Sequence, residues 1–140
     1  MRSVFKFIKV VLLAGLLFLI GKLFKMIYEN KRREGRSLCF FGIDETFKDK
    51  VPQECRYNLL FSGLNFDFRE MENPPEVIEL NIFGRFSGFN IDIPTDWNVE
   101  LEGTEDKSGI NNAVENHDEA KTTLKITYDL KYSGLNIDQT

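Results

Sequence analysis

Three aspartates recur at matched places in this chain, and its one histidine sits among acids; these are the side chains whose type and spacing invite a chemical role. Asp67, Asp92 and Asp138 each close a shared string, Phe61-Ser62-Gly63-Leu64-Asn65-Phe66-Asp67, Phe86-Ser87-Gly88-Phe89-Asn90-Ile91-Asp92 and Tyr132-Ser133-Gly134-Leu135-Asn136-Ile137-Asp138. A column of carboxylates is the kind of hard oxygen donor set that Ca²⁺ takes. A weaker copy, Lys107-Ser108-Gly109-Ile110-Asn111-Asn112, places Ala113 at the aligned position, and the Ca²⁺-binding pattern G-G-x-G-x-D is absent. Solvated acids are therefore expected, not a metal site. His117 lies in Glu115-Asn116-His117-Asp118-Glu119. A base or metal ligand needs partners that nothing else in the chain supplies, so an exposed loop histidine is expected. Cys39 and Cys55 form no C-x-x-C pair, and with a single histidine they cannot build a zinc tetrad. Two reduced, partly buried thiols are expected in preference to one disulfide. No catalytic, cofactor-binding or metal-binding residue is assigned, and the chain is not expected to be an enzyme.

The elements that would hold these residues follow from the repeat. Its serines, Ser62, Ser87, Ser108 and Ser133, are 25, 21 and 25 residues apart. A period of this size is the mark of stacked units, each burying its apolar face against the next. Phe61 and Leu64 are three apart, and a continuous strand would send them to opposite faces. For both to point inward the chain must change parity at the Ser-Gly pair, with Gly63, Gly88, Gly109 and Gly134 supplying the positive φ of a corner. Stacking would then align Phe61, Phe86 and Tyr132 in one column, and Leu64, Phe89, Ile110 and Leu135 in another. Asn65, Asn90, Asn111 and Asn136 are equivalent; a hydrogen-bonded ladder and a set of solvent-facing turn residues are equal alternatives.

Period-2 alternation fills residues 55–140: Tyr57, Leu59, Phe61; Leu80, Ile82; Phe89, Ile91, Ile93; Trp97, Val99, Leu101; and Leu124, Ile126, Tyr128, Leu130, Tyr132. Trp97 is expected in the core. Pro74-Pro75 and Pro94 interrupt the pattern. Asn111 to Lys121 reads as a polar loop protruding from the stack. The expected fold class is all-β, a stacked β-repeat (solenoid or β-helix-like) domain behind one transmembrane α-helix. The units are 1–28 anchor, 29–56 basic linker and lead-in, and 57–140 repeat domain.

Val10 to Gly21 carries no charge, and the apolar character runs from Val4 to Tyr28, about 37 Å of helix. A single membrane span competes with a cleaved secretory signal and an in-plane amphipathic helix. No small-x-small cleavage site follows Gly21, and Lys6, Lys9, Lys22 and Lys25 make no continuous polar stripe, so the span is favoured. Lys22, Lys25, Lys31, Arg32, Arg33 and Arg36 outnumber Arg2, Lys6, Lys9 and the terminal amine, which points the body to the cytoplasm. Glu29 to Arg36 is expected to stop the helix at the headgroups. Residues 1–36 carry nine Lys/Arg and two Asp/Glu (+7); residues 37–140 carry nine and twenty (−11). An acidic body excludes nucleic acid as a direct partner, while a basic head suits an anionic membrane surface.

From Ile82 to Asn112 the string IFGRFSGFNIDIPTDWNVELEGTEDKSGINN resembles the carboxyl-terminal domain of LiaF-like, cell-wall-active-antibiotic response proteins, a β-repeat fold called the toastrack. The Pro94-x-Asp96-Trp97-Asn98-Val99 run carries most of the likeness, with Gly corners on both sides. Strands from Leu124 to Ile137 resemble the end of that domain, so the likeness covers about residues 57–138. The resemblance implies bacterial envelope-stress signalling through protein contacts and maps no catalytic residue onto this chain. The expected function is a membrane-anchored, non-catalytic interaction module whose partner is a protein such as a membrane sensor. The alternative is a self-assembling scaffold, because stacked strands leave open edges.

Overall fold

A computed structural model describes residues 1–52 and 55–140: one helix followed by ten strands. The helix α1 spans Arg2–Arg32. Apolar side chains cover its whole circumference from Val4 to Ile20, and all of them are exposed. A helix apolar all round belongs in a core or in lipid, and here no core surrounds it. Within the described residues it is long and apolar enough to cross a membrane, a test that signal sequences also pass.

The helix ends inside Glu29–Arg36, the segment expected to stop it. It continues to Arg32, because Leu23, Met26 and Ile27 are half-buried and Asn30 is buried. That i, i+3, i+4, i+7 spacing puts them on one stripe, which faces the first strands. Asn30 Nδ2 donates to the carbonyls of Leu38 (3.1 Å) and Asn58 (3.4 Å), and Ser37 Oγ donates to the Asn30 carbonyl (2.6 Å). Asn58 Nδ2 donates to the Glu34 carbonyl (2.9 Å). The charged linker is thus a docked joint. Gly35 makes its turn at φ +95°, and a Cβ there would stand 2.5 Å from the Arg56 carbonyl oxygen.

The strands are β1 (Arg36–Cys39), β2 (Gly42–Thr46), β3 (Arg56–Leu60), β4 (Gly63–Asp67), β5 (Val77–Arg85), β6 (Gly88–Ile93), β7 (Trp97–Asp106), β8 (Gly109–Asn112), β9 (Thr122–Lys131) and β10 (Gly134–Gln139). Odd-numbered strands form a parallel sheet in the order β1-β3-β5-β9-β7; even-numbered strands form a second in the order β2-β4-β6-β10-β8. Each repeat contributes one strand to each sheet. β1 and β2 lie in the segment expected to be lead-in; they add a unit built on Phe40-Phe41-Gly42, whose Gly42 pairs with Gly63.

Alternation decides what goes inside. Leu59, Leu80, Leu124 and Ile126 of one sheet and Leu64, Phe89, Ile91 and Ile137 of the other are nearly inaccessible and share one core. Each such side chain contributes about 1.5–3 kcal/mol. Trp97 is in this core, 5.6 Å from the Phe68 ring. In β3 the pattern gives way to four consecutive buried residues, Tyr57 to Leu60, because α1 covers the outward-facing Asn58 and Leu60.

The units are not stacked in chain order. β9 and β10 lie between β5/β6 and β7/β8, so Gly134 pairs with Gly88 on one side and Gly109 on the other. The physical reason is the burial each unit needs. A central strand is shielded by neighbours on both sides while an edge strand is not, and β9, which carries the longest apolar alternation, takes the more central place. The copy with Lys107 and Asn112 in place of apolar residues tolerates the edge.

Candidate functional site

The five corners form the most regular surface of the molecule. At each, the residue before the serine position has positive φ: Phe40 (57°), Phe61 (48°), Phe86 (51°), Lys107 (49°) and Tyr132 (50°). This corrects the expectation that glycine makes the parity change. A Cβ at Gly63, Gly88, Gly109 or Gly134 would meet nothing within 4 Å, and the packing does not explain glycine there. Left-handed backbone at a bulky residue costs on the order of 1–3 kcal/mol and persists only when neighbours enforce it. Two arrays do so here.

The first is a ladder of serines. The backbone N–H groups of Phe41, Ser62, Ser87 and Ser133 donate to the hydroxyls of Ser62 (3.2 Å), Ser87 (3.1 Å), Ser133 (3.1 Å) and Ser108 (3.1 Å). Each hydroxyl in turn donates to the carbonyl two residues before it: Ser62 to Leu60 (2.8 Å), Ser87 to Arg85 (2.9 Å), Ser133 to Lys131 (2.9 Å) and Ser108 to Asp106 (2.9 Å). Sequence reasoning missed this role, although the strict recurrence of Ser was its signal. Serine is the residue that accepts from one unit and donates within its own.

The second is the aromatic column. Phe40, Phe61, Phe86 and Tyr132 stack with centroids 5.2, 4.9 and 5.0 Å apart and planes within 8°. Such offset pairs contribute about 0.5–1.5 kcal/mol each. Lys107 closes the column, its Nζ 5.3 Å from the Tyr132 ring centroid and 3.2 Å from the phenol oxygen. The aligned rings were expected inside; they lie outside. Phe61 is 37% exposed, and Phe86 and Tyr132 are each 42%. The left-handed residue itself turns its side chain out, so only the second column (Leu64, Phe89, Leu135, with half-buried Ile110) enters the core.

Asparagines make a shorter ladder. Asn90 Nδ2 donates to Asn65 Oδ1 (2.8 Å), and Asn136 Nδ2 donates to Asn90 Oδ1 (3.0 Å). Asn111 stands next in register, opposite Asn136 at the edge. Asp67, Asp92 and Asp138 are also in register. Hydrogen bonds from the Arg69 side chain hold the Asp67 carboxyl below its ordinary range. Among the described residues no group of three or more His, Cys, Asp or Glu is placed to hold a metal ion.

The loop from Asn111 to Lys121 does not protrude. Asn116 accepts from Val99 N–H (2.9 Å) and donates to Val99 carbonyl (2.8 Å), so its amide pairs with β7 as a strand residue would. Asn98 exchanges two bonds with the His117 backbone (2.8 and 2.9 Å), and the exposed His117 ring lies 3.1 Å from the Thr95 carbonyl. The cover ends there. Beyond it β7 exposes Glu100, Glu102, Glu105 and Asp106. Lys125 and Lys131 of β9 approach Glu100 (3.8 Å) and Asp106 (3.9 Å). No ion pair among the described residues engages Glu102 or Glu105.

Where α1 leaves the sheets, a cavity of about 360 Å³ is lined by Met26, Glu29, Arg33, Phe83, Arg85 and Lys131, among others. The guanidinium groups of Arg33 (3.4 Å) and Arg85 (3.9 Å) lie over the Phe83 ring. Arg85 also bonds Asp129 (3.1 Å). Both cysteines are free; Cys39 is half-buried and Cys55 exposed. Burial pushes the Cys39 thiol up, against a smaller opposing pull from Lys31. A thiol so raised stays protonated at neutral pH and is a poor nucleophile. The surfaces present an aromatic ridge, a basic-aromatic joint and an acidic edge. No family model, curated protein or solved structure matches the chain.

Proposed function

We propose that the chain is a membrane-anchored, non-catalytic interaction module: a stacked, solenoid-like β-repeat domain of the toastrack kind, joined to a single-pass helix. In this reading it serves bacterial envelope-stress signalling by protein contact, as LiaF-like proteins do, with the β-domain on the cytoplasmic side. One observation carries it. A helix with an exposed apolar circumference is hydrogen-bonded, through Asn30 and Asn58, to sheets whose far strand presents four carboxylates. A membrane tether packed on the domain that bears this charged strand suits a partner that lies in the same membrane and offers basic groups. Self-assembly through that edge is disfavoured, since like charges on an edge strand oppose pairing with another copy.

The test is a photo-crosslinking residue at Glu102 in intact cells. The expected product is one discrete adduct with another protein, lost when Glu100, Glu102 and Glu105 are all replaced by Lys (with the crosslinker moved to Thr104). Adducts only at multiples of the chain's own mass would make it a scaffold; no adduct would overturn the interaction reading. Thiol labelling of the exposed Cys55 before and after permeabilisation reads the side of the membrane, with labelling expected only after permeabilisation.

A further inference from the structure

The aromatic ridge has a direction. α1 runs antiparallel to β3: Asn30 meets the middle of that strand at Asn58, while Met26 shares a cavity with Leu60, Phe86 and Tyr132 at its end. The helix therefore leaves the domain past the corners, on the same side as the ridge. The stripe that touches the domain begins at Leu23, so Arg2 to Lys22 is free of it, about 32 Å of helix against a hydrocarbon core of about 30 Å. Met26 lies roughly 6 Å beyond Lys22, and the polar headgroup layer is roughly 5–7 Å deep on each side. With Lys22 at the edge of the hydrocarbon core, the corners would stand level with that layer.

We infer that the corner ridge, Phe40, Phe41, Phe61, Phe86 and Tyr132, seats in the interfacial layer of the bilayer that α1 crosses; this rests on the anchor reading above. Phe40 is 61% exposed and Phe41, which stands where the other units have serine, is 70% exposed. The exposed phenylalanines gain by leaving water at the headgroup–acyl boundary, as the apolar faces of interfacial elements do, and Tyr132 adds the polar-tipped ring that collects at membrane interfaces. The rim has the right sign. Lys22, Lys25, Arg33, Arg85, Lys107 and Lys131 surround the ridge and helix exit, with Glu29, Asp106 and Asp129 as their acidic neighbours. The rim totals six bases against three acids; the acidic body (−11) supplies Arg85, Lys107 and Lys131 against Asp106 and Asp129, and the basic head supplies the rest, so the charge facing lipid phosphates is positive. Two attachments, helix and ridge, would fix the tilt of the stack on the membrane and lift the β7 edge to a set height.

The full chain is reconstituted in phosphatidylcholine vesicles containing phosphatidylglycerol, with or without lipids brominated near the top of the acyl chain, which quench tryptophan emission on contact. Trp97 is buried and gives a constant background. Phe41→Trp samples the ridge. His117→Trp samples the opposite pole, about 33 Å away along the ten residues of β7. Phe41→Trp is expected to lose at least about twofold more of its added emission than His117→Trp. Equal quenching at the two sites, in a chain that still floats with vesicles after alkaline carbonate, overturns the ridge while leaving the anchor intact. A chain that stays in the soluble fraction overturns the anchor, and the ridge with it. Dimer formation that shields Phe41→Trp from both lipid and iodide overturns the ridge in favour of a second copy.

Discussion

The two ends of the stack treat their outer surface in opposite ways. At the β1–β3 end, a helix covers the sheet, and Asn58 and Leu60, which would otherwise meet water, are buried. At the β7 end none of the described residues covers the sheet beyond Asn116, and the strand answers with carboxylates. The lesson is that an open parallel stack can finish either by packing or by charge. The first buries Asn58 and Leu60, and the second leaves a row of carboxylates in water.

That contrast can be broken most forcefully from the covered end. Leu60→Ala is expected to lower unfolding free energy by about 2–5 kcal/mol, as for a core leucine; a loss under ~1 kcal/mol in urea titrations would mean that the helix only lies near the strand. Ser87→Ala, in the middle of the ladder, removes an acceptor for Ser62 N–H and the donor to Arg85 carbonyl. It should cost about 1–3 kcal/mol, against roughly 0.5–1 for Ser108→Ala at the edge. Equal values would mean that the ladder does not act as one array.

Gly35→Ala sharpens the joint itself. A side chain at φ +95° beside Arg56 should cost on the order of 1–2 kcal/mol and loosen the helix, seen as faster amide exchange at Ser37 and Leu38. Asp67 contributes less. Its carboxyl titrates lower folded than unfolded, so the Arg69 bonds stabilise above about pH 4, the unfolded value, and are lost as pH falls through the folded one. Asp67→Asn should lower stability by under about 1 kcal/mol at pH 7 and leave it unchanged near pH 2. Smallest is Glu102→Lys, expected within about 0.5 kcal/mol of the parent in a thermal melt. A large loss there would show that the acidic edge is structural after all.

Much of this architecture was legible in the order of residues. Recurrent Ser-Gly units, alternating apolar positions and Trp97 in the core follow from period alone, because a strand's two faces are set by local geometry. The direction of the aromatic column was not legible, since a left-handed residue at 61 looks like any strand end until its φ is known. The unit at Phe40-Phe41-Gly42 escaped because Phe41 replaces the serine that defines the others; its 21-residue distance to Ser62 was the missed cue. Neighbour order escaped for a different reason. Equivalent units fit beside one another in several permutations, and only the balance of burial against edge exposure selects one. The docked helix depends on Asn30, a polar residue in a basic stretch, whose partners are carbonyls that carry no residue signature.

The displaced position of β9/β10 bears on how the molecule is made. As the polypeptide emerges from the ribosome, β7 and β8 appear before the strands they lean on. A nascent chain that has reached Lys121 holds three joined rungs and a fourth with no native neighbour. Residues 122–139 act as a keystone: until they are synthesised and slip into the gap, the acidic rung must wait unpaired, and its carboxylates help keep it soluble in the meantime.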